Sequence, residues 1–357
     1  MKKIGIYLVY GLSFLLLMAA FALGTIAFTE LGFQLVFVPG YLFTFSSIYL
    51  IFILHELGHA FCGYLTGYRL VALGLGSFLL TKKAGKFRLS RTAALKNVGA
   101  QYIGLKEDES DQRMILMLSG GLLVHLILLI VSILFGVLTQ SWYFAGTWIC
   151  LNLSFILANA LPFGITDGAK MLELMRHPEN VPYAYLGLRH SAQTLLAPED
   201  YDLKDFVRPV PEEAQGGFVE GVLALQGEVY ILEGNREAAK EQFQALLERA
   251  DNPMIQTAAQ LSLLHIALLE GDHEKAEEYA TIRRVKSFLS MKLTNIQAAQ
   301  AWYQFTVKKD LAQTQKAIKL ARQKMDVSRM LRDEKVYYQQ WLDELEQAIQ
   351  EEQTQVG

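Results

Sequence analysis

Long apolar stretches dominate the first half of the chain. Three segments contain no Asp, Glu, Lys or Arg, at residues 4–29, 31–54 and 114–166. Each is long enough to cross a bilayer core of about 30 Å as a helix, and the third is long enough to cross it twice. The pattern predicts an all-α, polytopic membrane bundle with about four transmembrane helices, at 4–27, 43–66, 114–138 and 142–163.

The pattern changes after the second predicted helix. Residues 71–80 and 87–90 are short, interrupted by Gly and partly alternating between apolar and polar side chains. This is typical of small β-strands or hairpins. We expect a small β-like insertion between the second and third membrane helices, and a simple connecting loop is the alternative.

The last third of the chain has helical periodicity and an internal repeat. Residues 232–239 return 37 positions later as residues 269–276, with a fainter third copy at 308–312. A helix, a Gly-containing turn and a second helix at this period suggest a soluble, tetratricopeptide-like domain, with a plain helical bundle as the alternative.

Three regions follow from these patterns. The first is an intramembrane domain over residues 1–175. The second, 176–213, contains five of the eight prolines between Pro178 and Pro211 and is predicted to be a proline-rich linker with short helical pieces. The third is a cytoplasmic helical-repeat domain over residues 214–350.

The distribution of charge supports this division. Residues 199–357 hold 19 of the 33 Lys and Arg residues and 27 of the 36 Asp and Glu residues, so the polar half is water-soluble. It has no basic run, which argues against nucleic acid as a partner. The two cysteines, Cys62 and Cys150, lie in predicted membrane helices, which leaves neither a disulfide framework nor a cysteine zinc site.

Basic residues also predict the orientation, because Lys and Arg accumulate on the cytoplasmic side. Lys2 and Lys3 precede the first helix, six more basic residues lie between Lys82 and Lys96, and the connections at 28–40 and 139–142 have none. We expect a multi-pass protein of a bacterial cell membrane with both termini in the cytoplasm. The first helix is alternatively a signal peptide ending near Ala22.

Ionisable side chains interrupt the second apolar stretch as His55-Glu56-Leu57-Gly58-His59. Charged or ionisable groups are costly in hydrocarbon and by default mark a functional site. On a helix, the four-residue spacing places both imidazoles on one face, where they can bind one metal ion with Glu56 beside it as a base.

A catalytic zinc site with two histidines needs a third protein ligand. Asp167 is the first carboxylate after Asp111 and directly follows the last predicted membrane helix. The second and fourth helices run in the same direction, so topology places Asp167 in the same leaflet as the histidines. Pro162, Gly164 and Gly168 permit the irregular backbone that turns the aspartate inward.

Together, His55-Glu56-x-x-His59 and Asn159-x-x-Pro162-x-x-x-x-Asp167-Gly168 resemble the site-2 protease family of intramembrane zinc metalloproteases. The resemblance covers roughly residues 40 to 175. It implies that His55, His59 and Asp167 bind Zn²⁺, that Glu56 is the catalytic base and that Asn159 lies near the bound substrate.

The chain departs from the family pattern in two places. Where the family often shows Gly-Pro-x-x-Asn, this chain has Gly121-Leu122-Leu123-Val124-His125, and after Asp167-Gly168 the usual second Gly is Ala169. His125 either substitutes for the asparagine or packs in the interior.

The predicted function is zinc-dependent cleavage of membrane-embedded segments of single-span proteins or of remnant signal peptides. The helical repeats are expected to bind a protein partner. The first domain is expected to lie in the lipid bilayer. One alternative is a membrane-anchored interaction protein with a vestigial or structural metal site. Another is a metal transporter, although no second ligand cluster is evident.

Overall fold

The computed structural model describes residues 2–32, 37–75, 78–83, 86–91, 99–104, 113–162, 166–250, 252–325 and 329–356. The chain is mostly helical and divides into two compact units. One comprises residues 1–75 and 98–181, and the other comprises residues 76–97 and 182–357. The domain limits inferred from the sequence stay predictions.

Five α-helices form most of the first unit. They are α1 (Lys2–Glu30), α2 (Phe37–Leu65), α3 (Arg113–Thr139), α4 (Trp142–Asn159) and α5 (Asp167–Arg176). The helices α1, α2 and α3 are long and apolar enough to cross a membrane. With 18 residues, including Asn152 and Asn159, α4 does not reach the same length and apolarity, so a fourth crossing remains a prediction.

Small residues allow the membrane helices to approach closely, as is usual where hydrophobic packing gives little selectivity in lipid. A side chain at Gly24 would meet Thr44, and one at Gly40 would meet the α1 backbone at Thr25, 2.6 Å away. Between α1 and α4, the hydroxyl groups of Ser13 and Ser154 are 2.8 Å apart. These polar and small contacts join α1 to both α2 and α4.

Four short strands occupy the region after α2. They are β1 (Tyr68–Leu75), β2 (Phe78–Lys83), β3 (Lys86–Arg91) and β4 (Gly99–Gly104). In the first unit β1 and β4 pair antiparallel, from Tyr68 with Gly104 to Gly74 with Gly99, with a shift in register between Leu70 and Ala72. In the second unit β2 and β3 form an antiparallel hairpin. The predicted β-like insertion is confirmed.

Nine helices account for most of the described part of the second unit. They are α6 (Val181–Leu196), α7 (Gly217–Leu232), α8 (Arg236–Arg249), α9 (Pro253–Glu270), α10 (His273–Thr281), α11 (Arg283–Leu289), α12 (Thr294–Thr306), α13 (Leu311–Met325) and α14 (Arg332–Val356). In the predicted linker, the 16-residue helix α6 exceeds the short pieces expected. Pro182 does not prevent it, because proline is tolerated in the first turn of a helix.

The three copies of the sequence repeat coincide with three similar turns. Gly234, Gly271 and Lys309 all have positive φ, at 77°, 72° and 54°. After Gly234 and Gly271, Asn235 and Asp272 cap α8 and α10 by accepting hydrogen bonds from backbone N–H groups. Three helix-turn-helix units therefore share one turn geometry, and the tetratricopeptide-like classification stays a prediction.

The helix α14 packs on the described helices of this unit through aromatic side chains. Trp341 stacks on Trp302 with the ring centroids 5.7 Å apart and lies 4.1 Å from the ring of His265. Trp302 also donates its indole N–H to the carbonyl of Trp341 at 3.1 Å. Beside this cluster, burial raises the pKa of Glu334 to about 7 against the opposing effect of the Leu331 N–H, and the charge of Glu228 adds to the rise.

This elevated pKa makes stability depend on pH. The folded unit retains the Glu334 proton between about pH 4.5 and 7 while the unfolded chain releases it, so this group destabilises the fold as pH rises. We expect Glu334→Gln to stabilise the unit relative to wild type by up to about 3 kcal/mol at pH 7.5 and by much less at pH 5.

Denaturant unfolding of the full chain, followed by tryptophan fluorescence in a Trp142→Phe, Trp148→Phe background, measures this difference. The comparison must be between variants, because burial lowers the pKa of His265 to about 3 and gives an opposite trend. Equal effects of Glu334→Gln at both pH values would contradict the prediction.

Candidate metal centre

The two histidines of the motif lie one turn apart on α2 and face the interior of the first unit. His55 is 6% exposed and His59 is 7% exposed. Their Nε2 atoms are 3.1 Å apart. The four-residue spacing therefore produces the shared face that the sequence predicts.

The aspartate reaches these histidines from the start of α5. Thr166 caps this helix by accepting a hydrogen bond from the N–H of Ala169, and its hydroxyl donates to the carbonyl of Leu161. Asp167 is the first helical residue, and its Oδ2 lies 3.2 Å from Nε2 of each histidine. The cap thus fixes the residue at which α5 begins, and with it the position of the Asp167 carboxylate.

Gly168 has a different role from the one expected. It lies within α5, and a side chain there would come within 2.4 Å of the carbonyl oxygen of Ala160. Close packing against the end of α4, and not a special backbone conformation, requires glycine here. Gly164 lies outside the described residues.

The geometry of these three residues fits a metal ion. The ligand atoms of His55, His59 and Asp167 are 3.1–3.2 Å from one another, close to the spacing of about 3.3 Å around one tetrahedral zinc with bonds of about 2.0–2.1 Å. His59 donates its Nδ1–H to the carbonyl of Met117 at 2.9 Å, which leaves Nε2 as a lone pair. Two imidazoles and one carboxylate form a donor set that suits zinc and leave one position open.

Glycines allow α2 and α3 to approach each other closely beside the three ligands. A side chain at Gly58 would lie 2.4 Å from the carbonyl oxygen of Gly120, and one at Gly120 would lie 2.3 Å from that of Gly58. A side chain at Gly121 would fall within 2.3–2.7 Å of the ring of His55. The close helix pair therefore sets the space that the His55 ring occupies.

The remaining predicted residues surround the three ligands differently. Glu56 is partly buried beside His55 on α2. Asn159 ends α4, and its amide donates to the carbonyl of Phe155 at 3.2 Å. A role for Asn159 in substrate binding stays a prediction.

His125 contacts the ligand His55 but is not one of the three grouped ligands. Its Nε2 lies 3.0 Å from Nδ1 of His55, the ring atom opposite the metal-facing nitrogen. Its Nδ1 lies 2.9 Å from Oδ1 of Asn152, a residue that the sequence analysis did not single out. The available signal was the spacing of Asn152 and Asn159, which is two helical turns in a helix without charged residues.

A family comparison covers the first part of this centre. Residues 43–141 match the model of peptidase family M50, which is the site-2 protease family. The predicted resemblance is confirmed. The match supports a metallopeptidase that lies in a membrane, and the peptidases of this family use zinc. No curated protein and no solved structure matches the chain.

The extent of the match matters for the site. It includes His55, Glu56 and His59 on α2 and His125 on α3, and it ends before Asn159 and Asp167. The roles of individual residues therefore depend on the geometry described above and are proposals.

Proposed function

We propose that this protein is a zinc-dependent intramembrane endopeptidase. The observation that carries the proposal is the convergence of His55, His59 and Asp167 from α2 and α5 within ligand distance of one another. Such a cluster on a helix long and apolar enough to cross a membrane is expensive unless it serves chemistry. The M50 match supplies the reaction class.

Each residue has a defined task in this proposal. His55, His59 and Asp167 would hold the ion, which when bound would supply the Lewis acidity that lowers the pKa of a coordinated water and polarises the scissile carbonyl. Glu56 accepts the proton of the attacking water and delivers it to the leaving amine. The three ligands leave the open position that a catalytic site requires.

The substrate class follows from the location of the site. In a membrane helix every carbonyl in the middle is bonded to an N–H, so a substrate segment must unwind locally before attack. Asn159 is proposed to bind the unwound strand. Membrane-embedded segments of single-span proteins and remnant signal peptides are the proposed substrates, and the helical repeats are proposed to bind a protein partner in the cytoplasm.

Two rival functions are less well supported. A structural metal site does not need a carboxylate base next to its ligands, yet Glu56 is present. A transporter usually has paired sites, whereas the described part of the chain has one group of three His, Cys, Asp or Glu within ligand distance.

Co-expression with a panel of tagged single-span membrane proteins tests the proposed activity. We expect wild type to release a shortened fragment from at least one of them, with loss of the fragment in a metal chelator and in Glu56→Gln. Fragments that persist in Glu56→Gln would contradict the proposal. So would a panel of single-span proteins and remnant signal peptides that yields no chelator-sensitive fragment.

A further inference from the structure

A chain of buried hydrogen bonds extends from the carbonyl of Trp148 to His55. The amide Nδ2 of Asn152 lies 2.8 Å from the Trp148 oxygen, and Oδ1 of Asn152 lies 2.9 Å from Nδ1 of His125. Nε2 of His125 then lies 3.0 Å from Nδ1 of His55. Asn152 and His125 are both completely buried.

The chemistry of these groups fixes the direction of every proton in the chain. A carbonyl oxygen only accepts, so the NH₂ of Asn152 faces Trp148 and the Oδ1 faces His125. Since Oδ1 also only accepts, His125 carries its proton on Nδ1. A neutral imidazole has one N–H, so Nε2 of His125 accepts from Nδ1–H of His55. The Nε2 of His55 therefore carries no proton, and its lone pair lies beside Asp167.

We propose that His125 and Asn152 are positioning residues that fix the tautomer and ring orientation of the metal ligand His55. The inference deepens the proposed function, because it depends on zinc binding at His55, His59 and Asp167. A partner on the second nitrogen of a ligating histidine typically changes metal affinity about 10–100-fold. We call the hydrogen-bonded series Asn152–His125–His55 the relay. His59 has a backbone partner at Met117 instead, so side-chain changes in the relay act on one ligand only.

Packing of His125 makes a purely structural role the competing explanation. Its ring stacks on Phe155, with the centroids 5.2 Å apart at 27°. A variant must therefore separate the shape of the ring from its nitrogen atoms. His125→Phe keeps an aromatic ring in the same place, and His125→Gln keeps a polar group that reaches the position of Nε2.

Zinc affinity of the purified full-length protein, measured by competition with a chelator, tests the proposal without substrate. We expect His125→Phe and Asn152→Leu to weaken zinc binding about 10–100-fold. His125→Gln, which retains an acceptor for the N–H of His55, should stay within about threefold of wild type by the same reasoning. Ser132→Ala is the matched control, because within the described part of the chain this buried hydroxyl of α3 bonds its own helix at Leu128 and no other element.

The visible absorption of bound Co²⁺ provides a second readout that distinguishes lost hydrogen bonding from lost packing. His125→Phe should change the cobalt bands, and His125→Gln should recover the wild-type spectrum. Wild-type zinc affinity in His125→Phe would overturn the proposal, as would equal losses in His125→Phe and His125→Gln. If His125→Phe does not fold, Asn152→Leu against His125→Gln makes the same distinction, with equal affinities overturning it.

Failure of this inference is distinguishable from failure of the proposed function. Variants that bind zinc like wild type refute the relay and leave the protease proposal unaffected. If zinc binding depends on the relay but the wild-type protein cleaves no membrane substrate, the protease proposal is refuted and the relay stands.

Discussion

Replacing Glu56 with glutamine is expected to lower the rate of substrate cleavage by at least about 10²-fold, the lower end of the usual contribution of a general base. The amide occupies nearly the same volume but cannot accept the proton of the attacking water. Zinc content should stay at the wild-type level, because Glu56 is not among the three residues within ligand distance of one another.

Glu30→Gln is the matched control for this prediction. Glu30 is an exposed acidic residue at the end of α1, so the same chemical change there should leave both cleavage and zinc content unchanged. Cleavage is measured as fragment yield over time in proteoliposomes, and zinc by elemental analysis. An active Glu56→Gln enzyme would exclude the proposed mechanism, and loss of zinc in this variant would instead make Glu56 a ligand.

Replacing Asp167 with alanine is expected to cause the largest loss of zinc affinity that any change outside α2 produces. The variant removes one of three proposed ligands, so the loss should exceed the about 10–100-fold cost of losing a hydrogen-bond partner of a ligand. It also leaves two buried imidazoles without the carboxylate that lies 3.2 Å from each of them. Cleavage should fall below detection, because the remaining pair cannot hold the ion at working concentrations of zinc.

Chelator competition measures the effect of Asp167→Ala, with Asp200→Ala as the control in an exposed part of the second unit. Both proteins should elute as wild type in gel filtration. Zinc affinity of Asp167→Ala equal to that of Asp200→Ala would show that the third ligand lies elsewhere.

Much of the membrane unit could be predicted from the sequence because lipid imposes simple rules. Helices in hydrocarbon must satisfy their own backbone groups, so the apolar stretches predict both ends of α1 and α3 to within three residues and the end of α2 to within one. The start of α2 was predicted six residues too late, at 43 instead of Phe37. The spacing of His55 and His59 on α2 similarly predicts a shared face. Topology alone indicated that Asp167 would lie near them.

Features that depend on contacts between distant helices were not predictable. The relay from Asn152 through His125 to His55 requires α3 and α4 to pack with a particular rotation, which the apolar pattern does not specify. The role of Gly168 depends on its approach to Ala160. At Lys309 a non-glycine residue adopts positive φ, so the third turn of the repeat lacks the glycine signal of the first two.

The central claim is that two imidazoles and one carboxylate hold a single zinc ion. X-ray absorption at the zinc edge of the purified wild-type protein tests this claim most directly. We expect one zinc ion per chain, coordinated only by nitrogen and oxygen atoms at about 2.0–2.2 Å, with scattering from two imidazole rings. A protein without zinc, a sulfur ligand at about 2.3 Å, or scattering from three or more imidazoles would contradict it.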